Sequence, residues 1–580
     1  MSLPKLLLTL SIASILIGCA EEVPTTDAPA AAEENSPAAL SSTVSAANTL
    51  ALTEAATATS EIEALLHKHI AVLASDEFEG RAPATPGEEK TIAYLEQEFK
   101  DLGIGPGNGD SYFQSVAVTE ITTSSDAILQ LQGSDYDATF NYGEEMMVGT
   151  QQQIPFVTVQ GSEVVFVGYG IVAPERNWND YANIDVTDKT VIILVNDPGY
   201  ATQDSEVFNG NSMTYYGRWT YKYEEAARQG AAAALIVHET GPAGYGWDVV
   251  SGSWSGPQIG LEAENLNGDR TEIEGWLTLP SAEAVFDGAG LSYQELKAAA
   301  ALPGFQAVPL ADIKASVSIE NSVRTSESQN VVAAIPGSLR PEETVIYTAH
   351  WDHLGVNPET EGDSIYNGAA DNATGTAGLL ALAKQHAEST PPERTVVFLA
   401  VTAEESGLLG SKWYAEHPIY PIPTTVANIN IDVLNTFSKM KDIVVVGAGS
   451  SELEDYLEVA AATQNRYTAP EPNPERGYYY RSDHFNFAKV GVPALYLETG
   501  EDSIEFGREW GAQQAQDYNE NRYHAPSDEY DPNWDLSGGA QDLLLYFNVG
   551  EKLANASSYP KWRAGNEFKS IRDETETLRK

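Results

Sequence analysis

The chain has 580 residues, with 33 basic and 84 acidic side chains and a formal net charge of −51. This length exceeds what one hydrophobic core usually supports, so we expect two or more domains. A surface this acidic repels the phosphates of nucleic acids, and the composition therefore argues against nucleic-acid binding.

The N-terminal residues predict an exported, membrane-anchored protein. Residues 1–18 combine an early lysine with an apolar stretch, typical of a secretory signal peptide and shorter than the roughly 20 residues of a membrane span. They lead into Cys19 through the sequence LIGC, which resembles the lipobox of bacterial lipoproteins. We expect lipidation of Cys19, although an ordinary signal peptide with a fortuitous cysteine is an alternative. Ala20 after the cysteine favours the outer membrane.

Three segments follow the signal peptide before the main strand-rich region. Residues 19–60 are rich in Ala, Thr, Ser, Glu and Pro and predict a disordered tether. Residues 61–124 predict two helices, the second around Glu88–Leu102, and are expected to form the first part of a domain that residues 326–555 complete. The charged connection 75–81 between these helices is interpreted as a solvated connection packed on the main domain, with a site as the alternative.

Residues 125–325 predict an inserted, β-rich domain, because short apolar runs such as KTVIILVND alternate with Gly- and Tyr-rich loops. We expect this domain to carry no catalytic group. Its aromatic loops are predicted to line an entrance, and the alternative is that these side chains pack the domain's own small core. The residues are Tyr215, Tyr216, Trp219, Tyr245 and Trp247.

Residues 326–555 alternate strand-like and helical patterns and are predicted to form the main part of this domain. This alternation predicts an α/β fold with a mostly parallel or mixed sheet sandwiched by helices. Residues 556–580 are polar and are predicted to be a peripheral tail.

Polar motifs lie at or just past the ends of several predicted strands, where ligands collect in an open α/β sheet. Nitrogen and oxygen donors together suit zinc better than calcium or magnesium. The spacing predicts two zinc ions, with Asp371 shared between them. The other predicted ligands are His350 and Asp432 for one ion, and Glu405 and His524 for the second.

Three further acidic residues receive roles beside the predicted ligands. Glu404 is predicted to be the general base, because a carboxylate next to a metal ligand can accept a proton from water. Asp352 is predicted to orient His350, and Asp528 to orient His524. His353 is left unassigned. The alternatives are that Asp371 caps a helix and that the Glu404–Glu405 pair only marks a helix N-terminus.

The motifs LASDEFEGR, HWDHLG, GAADNATG, TAEESGLLGS, NIDV, RSDHFNFAKVGVPA and YHAPSDE resemble those of the co-catalytic dizinc metallopeptidases. That superfamily includes aminopeptidase Y, glutamate carboxypeptidase II and the transferrin receptor. Residues 125–325 more loosely resemble a protease-associated domain. The resemblance implies an aminopeptidase acting on peptides, a cis bond before Asn372, and substrate or oxyanion contacts from Arg481 and Tyr523. A carboxypeptidase, a glutaminyl cyclase and a non-catalytic binding protein remain alternatives.

Overall fold

The computed structural model describes residues 57–579. The predicted signal peptide, Cys19 and most of the predicted tether lie outside the described residues. Residues 57–73 are helical, so the helix begins before the predicted end of the tether at residue 60. No helix within residues 57–579 is long and apolar enough to cross a membrane.

The main domain, residues 57–123 and 321–579, is built on a mixed sheet. Four central strands run parallel and in register with one another, while the strands that flank them are antiparallel to them. In spatial order the strands are Phe113–Thr123, Val308–Ile335, Arg394–Val401, Arg340–His350, Thr425–Asn430, Ala494–Thr499, Asp442–Val445 and Tyr467–Pro470.

Helices cover both faces of this sheet. Successive strand residues point to opposite sides, so one strand contributes side chains to the core on each face. Val331 and Ala333 belong to one hydrophobic cluster, and Val332 and Ala334 belong to another on the opposite face. The α/β prediction is confirmed. Besides residues 57–73, the helices of the main domain are Pro86–Asp101, Thr374–Glu388, Leu409–Glu416, Leu453–Thr463, His484–Lys489, Arg508–Asn521, Ser537–Asn555 and Lys569–Glu574.

The inserted domain, residues 124–320, has its own core around a smaller sheet and is more helical than predicted. Its strands are Ile128–Gln132, Asp137–Asn141, Met146–Gly149, Phe156–Phe166, Thr190–Leu194, Ala233–His238 and Ile273–Thr278, completed by the first part of Val308–Ile335. Its helices are Pro198–Thr202, Trp219–Arg228, Thr240–Ala243, Trp247–Ser253, Leu279–Gly288 and Tyr293–Ala300.

Two strands tie the inserted domain to the main sheet. Val308–Ile335 is one 28-residue strand, whose first half pairs in the inserted domain and whose second half pairs with Phe113–Thr123. Pro257–Leu261, from the inserted segment, also pairs with Phe113–Thr123 and extends the main sheet. The inserted domain is therefore joined to the main domain by continuous backbone pairing.

The C-terminal residues are not a peripheral tail. Trp562 and Phe568 are each only 3% exposed, and Phe568 contacts the ring of Phe485 in the main domain and of Tyr215 in the inserted domain. The prediction for 556–580 was wrong because its few large apolar residues are spaced irregularly and give no periodic signal.

The aromatic residues predicted to line an entrance mostly pack inside the protein. Trp219 contacts Tyr223 and Trp254 within the inserted domain. Tyr215 packs between the domains against Phe485. These side chains stabilise the core and the domain contact, and the prediction of an aromatic entrance was wrong for them.

Candidate metal and catalytic site

The ends of three adjacent parallel strands bring the predicted site residues together. His350 ends its strand directly opposite Val401, so that Glu404 and Glu405 follow on the neighbouring strand. On the other side, Thr348 pairs with Asn430, and Asp432 follows that strand. Parallel strands present their carboxyl ends at one edge of a sheet, which is why residues far apart in sequence converge.

Asp371 lies between two imidazoles. His350 Nε2 is 3.2 Å from Asp371 Oδ1 and 3.2 Å from Asp432 Oδ1. His524 Nε2 is 3.3 Å from Asp371 Oδ2 and 3.0 Å from Glu405 Oε2. One carboxylate thus presents a different oxygen to each histidine, and the five predicted ligands lie in two groups that share Asp371.

The spacing of the donor atoms fits zinc. Around a tetrahedral ion with metal–ligand distances of roughly 2.0–2.2 Å, neighbouring donors lie about 3.3–3.6 Å apart, close to the separations observed here. Ligand atoms of His350, Glu404 and Asp432 lie within 4.8 Å of one another, as do those of His353, Asp371 and Glu405. Mixed imidazole and carboxylate donors are those that zinc prefers.

The electrostatics of the cluster also favour bound cations. Burial alone would lower the pKa of His524, but its contacts with Asp371 and Glu405 raise that pKa to about 10. Burial would likewise lower the pKa of His350, but the charges of Glu404 and Asp432 raise it well above its ordinary value. The raised pKa of each histidine reflects a negative potential at the cluster, which is the setting that a divalent cation stabilises.

His353 was left unassigned by the sequence, and the structure places it in the site. Its Nδ1 lies 2.6 Å from Glu405 Oε1, and its ring meets that of His524 edge-on at 5.7 Å. Its Nε2 is buried without a hydrogen-bond partner. The HWDH spacing was visible in the sequence, but nothing in it distinguished a third histidine of the site from a structural one.

We expect His524→Asn and His353→Asn to have different effects on metal content. His524 Nε2 faces both Asp371 and Glu405, so its loss should remove one ion. The only hydrogen-bond partner of the His353 ring among the predicted ligands is Glu405, so its loss should weaken metal binding by about 10–100-fold without changing the saturated stoichiometry. Elemental analysis at saturating zinc, with a chelator titration, separates the two. Loss of one ion in His353→Asn alone would exchange the two roles.

The two residues predicted to orient the histidines act on backbone instead. His350 Nδ1 faces the backbone carbonyl of Asp352 at 3.1 Å, whereas the Asp352 carboxylate is 3.9 Å away. That carboxylate accepts the backbone N–H groups of Glu404 and Glu405 at 3.1 and 3.4 Å. The predicted role of Asp352 was wrong, because the strand end turns its side chain toward the neighbouring strand.

Asp528 likewise does not orient His524. Its carboxylate accepts the backbone N–H groups of Ala370 at 3.0 Å and of Asp371 at 3.1 Å. It therefore positions the shared ligand through the main chain. The backbone turn from Ala525 to Asp528 is closed by a hydrogen bond between these two residues, and the Asp528 carboxylate at its end meets the Asp371 loop.

Hydrogen bonds to Asn372 hold the loop that carries Asp371. The Asp371–Asn372 peptide bond is cis, as the resemblance implied. Asn372 Oδ1 accepts the N–H groups of Gly375 at 2.8 Å and of Val433 at 3.1 Å. Asn372 thus links this loop to the turn next to Asp432, which fixes the distance between two predicted ligands.

Glu404 and Tyr523 flank the cluster. Burial, and then the charges of Asp432 and Glu405, raise the pKa of Glu404 well above its ordinary value. Tyr523 is 47% exposed and stacks on His524 with ring centroids 3.9 Å apart. Partial burial and then the charge of Asp371 raise the pKa of the Tyr523 phenol well above its ordinary value, so the phenol keeps its proton and can donate a hydrogen bond.

Arg481 lies one residue before Ser482, whose hydroxyl donates to Asp432 Oδ2 at 2.6 Å. Its guanidinium lies over the Tyr478 ring, and its Nε is buried without a hydrogen-bond partner. Arg218 of the inserted domain is close enough for the two charges to interact, and its Nε is also buried and unpaired. The sequence indicated Arg481 but gave no sign of Arg218.

An α/β domain with imidazoles and carboxylates at the carboxyl ends of its parallel strands is suited to bind a catalytic metal ion. Residues 330–548 match the model described as peptidase family M28. The matched residues include every predicted ligand, from His350 to His524.

Three curated relatives resemble the chain over different lengths. Aminopeptidase YwaD of Bacillus subtilis is 26% identical over 35% of this chain and 39% of its own length. Aminopeptidase NAALADL1 of Mus musculus is 32% identical over 27% of this chain and 20% of its own length. Probable leucine aminopeptidase 2 of Aspergillus fumigatus is 25% identical over 78% of this chain and 74% of its own length. The chain thus spans less than half the length of the first two relatives.

Two solved structures were also similar. The aminopeptidase from Aneurinibacillus sp. strain AM-1 gives a TM-score of 0.45 and 20% identity, with 85% of this chain and 93% of that chain covered. BSAP, a zinc aminopeptidase from Bacillus subtilis, gives a TM-score of 0.37 and 18% identity, with 84% of this chain and 94% of that chain covered.

Proposed function

We propose that the protein is a dizinc aminopeptidase that releases N-terminal residues from peptides. The observation that carries the proposal is the position of Asp371, which offers one oxygen toward His350 and the other toward His524. His350, Asp371 and Asp432 would hold one zinc ion, and Glu405, His524 and the same Asp371 would hold the second. The family and the relatives named aminopeptidases support this activity over the cyclase and receptor alternatives.

Zinc bound in these groups would supply Lewis acidity and a nucleophilic water at neutral pH. The protein's own residues manage the protons and the charge. The Glu404 carboxylate accepts a proton from the attacking water and later delivers it to the leaving amine. The protonated Tyr523 hydroxyl donates a hydrogen bond to the oxygen that becomes negative, and its ring, stacked on His524, keeps it at the cluster.

We expect the purified protein to hydrolyse aminoacyl chromogenic substrates and unblocked peptides, and to leave N-acetylated peptides intact. A free amino group is cationic, and the cluster of carboxylates stabilises it, whereas an acetyl group removes that charge. Chromatography of matched free and acetylated peptides measures the difference. Equal cleavage of both forms would contradict an aminopeptidase, and no cleavage of either by the zinc-loaded protein would contradict a peptidase.

One observation favours the carboxypeptidase as the second candidate function. Among residues 57–579, neither Arg218 nor Arg481 forms an ion pair with a carboxylate, despite the strong acidic excess of the chain. Two unpaired guanidinium groups are suited to a substrate carboxylate. A carboxypeptidase would require that carboxylate, so peptides with an amidated C-terminus would resist cleavage. An aminopeptidase would still remove their N-terminal residue.

We also propose that Cys19 carries the lipid that anchors the protein, on the strength of the LIGC sequence and the acidic, Ala-rich segment that follows it. A residue that carries several acyl chains holds firmly to a membrane, whereas a single chain binds only marginally. Cys19→Ser should block lipoprotein processing, and the folded domains should keep their activity. Intact-mass analysis of the N-terminus in membrane fractions tests this, and an unmodified wild-type Cys19 would refute the anchor.

A further inference from the structure

Arg81 lies beneath the site although it precedes His350 by 269 residues. The connection 75–81 packs on the main domain, but it is not a solvated link at Arg81, which is only 1% exposed. It ends the short turn Asp76–Arg81, in which Glu79, Gly80 and Arg81 all have positive φ. A Cβ on Gly80 would lie 2.4 Å from the Tyr366 carbonyl oxygen, so the turn presses directly on the segment that leads to Asp371.

The Arg81 guanidinium joins three separate segments. Its Nε donates to the Trp351 carbonyl at 2.9 Å, one residue beyond His350. Its Nη1 donates to the carbonyls of Leu73 at 2.7 Å and of Asn367 at 2.6 Å, and its Nη2 donates to Gly368 at 2.8 Å. The rigid fork of arginine can satisfy four carbonyls in a fixed geometry, which the three donors of a lysine cannot. These bonds fix the position of the His350 strand end relative to the loop that carries Asp371.

Arg81 is also a buried cation close to an acidic cluster. Within residues 57–579 it forms no ion pair, yet its charge interacts with those of Asp528, Asp352, Asp371 and Glu405. Burial lowers the pKa of Arg81 to about 10, which still leaves it charged at neutral pH. Asp528 and Asp352 are the two acceptors that hold the backbone of the predicted ligands. The positive charge therefore offsets the repulsion among these carboxylates, whether or not metal is bound.

We propose that Arg81 is a positioning residue for the metal centre, which aligns the His350 strand end with the Asp371 loop and supplies a permanent positive charge beneath the carboxylates. The inference rests on the dizinc site of the proposed function. Arg81 lies outside residues 330–548, which match the family model. The proposal therefore gives a residue of the segment before the inserted domain a part in metal affinity.

The test compares Arg81→Met and Arg81→Lys with a matched control, Arg394→Met, in the full chain. Arg394 is also fully buried and donates to the carbonyls of Leu553 and Ser558. It begins the strand Arg394–Val401, whereas Glu404 follows the opposite end of that strand. Zinc affinity is measured by competition with a chromogenic chelator, and the melting temperature with and without zinc. We expect Arg81→Met to weaken zinc binding by about 10–100-fold. Arg81→Lys should show a smaller loss, because it keeps the charge and loses the fork.

Arg394→Met should lower both melting temperatures while zinc affinity stays within about twofold of the wild type. Wild-type zinc affinity in Arg81→Met, together with reduced thermal stability, would overturn the proposal and make Arg81 an ordinary core residue. If Arg81→Met does not fold, Arg81→Lys decides by the same criterion. Failure of both to fold would also overturn it, because Arg81 would then be a requirement of the fold. A wild-type protein that binds no zinc would instead contradict the proposed function.

Discussion

Glu404→Gln is expected to keep both zinc ions and to lose most turnover. The substitution preserves the size of the side chain and its place beside His350 and Asp432, but an amide cannot accept the proton of the attacking water. Loss of a general base typically costs about 10²–10⁴-fold in rate. Steady-state kinetics at saturating substrate, together with elemental analysis of the same sample, measure the two quantities.

The neighbouring substitution Glu405→Gln is the matched control. Glu405 contacts both His353 and His524, and it should act as a ligand rather than as a base. Its amide variant should therefore bind one ion more weakly and recover part of its activity at high zinc concentration, which Glu404→Gln should not. The same metal content in both variants, with only Glu405→Gln inactive at saturating zinc, would reverse the two roles.

Asp371→Asn is expected to impair binding of both ions at once. Each Asp371 oxygen faces a different histidine, and an amide nitrogen in place of one oxygen leaves at most one acceptor. The loss of zinc affinity should exceed the roughly 10–100-fold typical of outer-shell partners, and turnover should fall with it. Wild-type protein should bind two zinc ions per chain by elemental analysis.

Asp363→Asn provides the control for this variant. Asp363 is an exposed carboxylate only eight residues before Asp371, so its change removes the same charge from the same region of the chain. It should bind zinc and turn over substrate like the wild type. If Asp371→Asn lost only one ion and kept the other at wild-type affinity, the shared position of Asp371 would be wrong.

In the main domain, the apolar runs of the strands and the polar motifs that follow them predicted much of the fold and of the site. Buried parallel strands read as continuous apolar runs, so the strands that end at His350 and Val401 were recognisable without knowledge of their neighbours. Each run is followed by a polar motif, and chemistry at the carboxyl ends of strands follows from the α/β architecture. The convergence of His350, Asp371 and Asp432 could thus be predicted, because it depends on strand order and not on fine side-chain geometry.

The sequence by itself determined the fold class of the main domain and which residues meet at its strand ends, since apolar periodicity and local motifs specify both. Only the tertiary structure decided the roles of residues that act across long separations. Arg81 binds carbonyls near residue 367, Arg218 approaches Arg481 from another domain, and Asp528 holds the backbone of Asp371. Such contacts depend on where loops are placed by packing, and a carbonyl acceptor leaves no signature in a sequence because every residue has one.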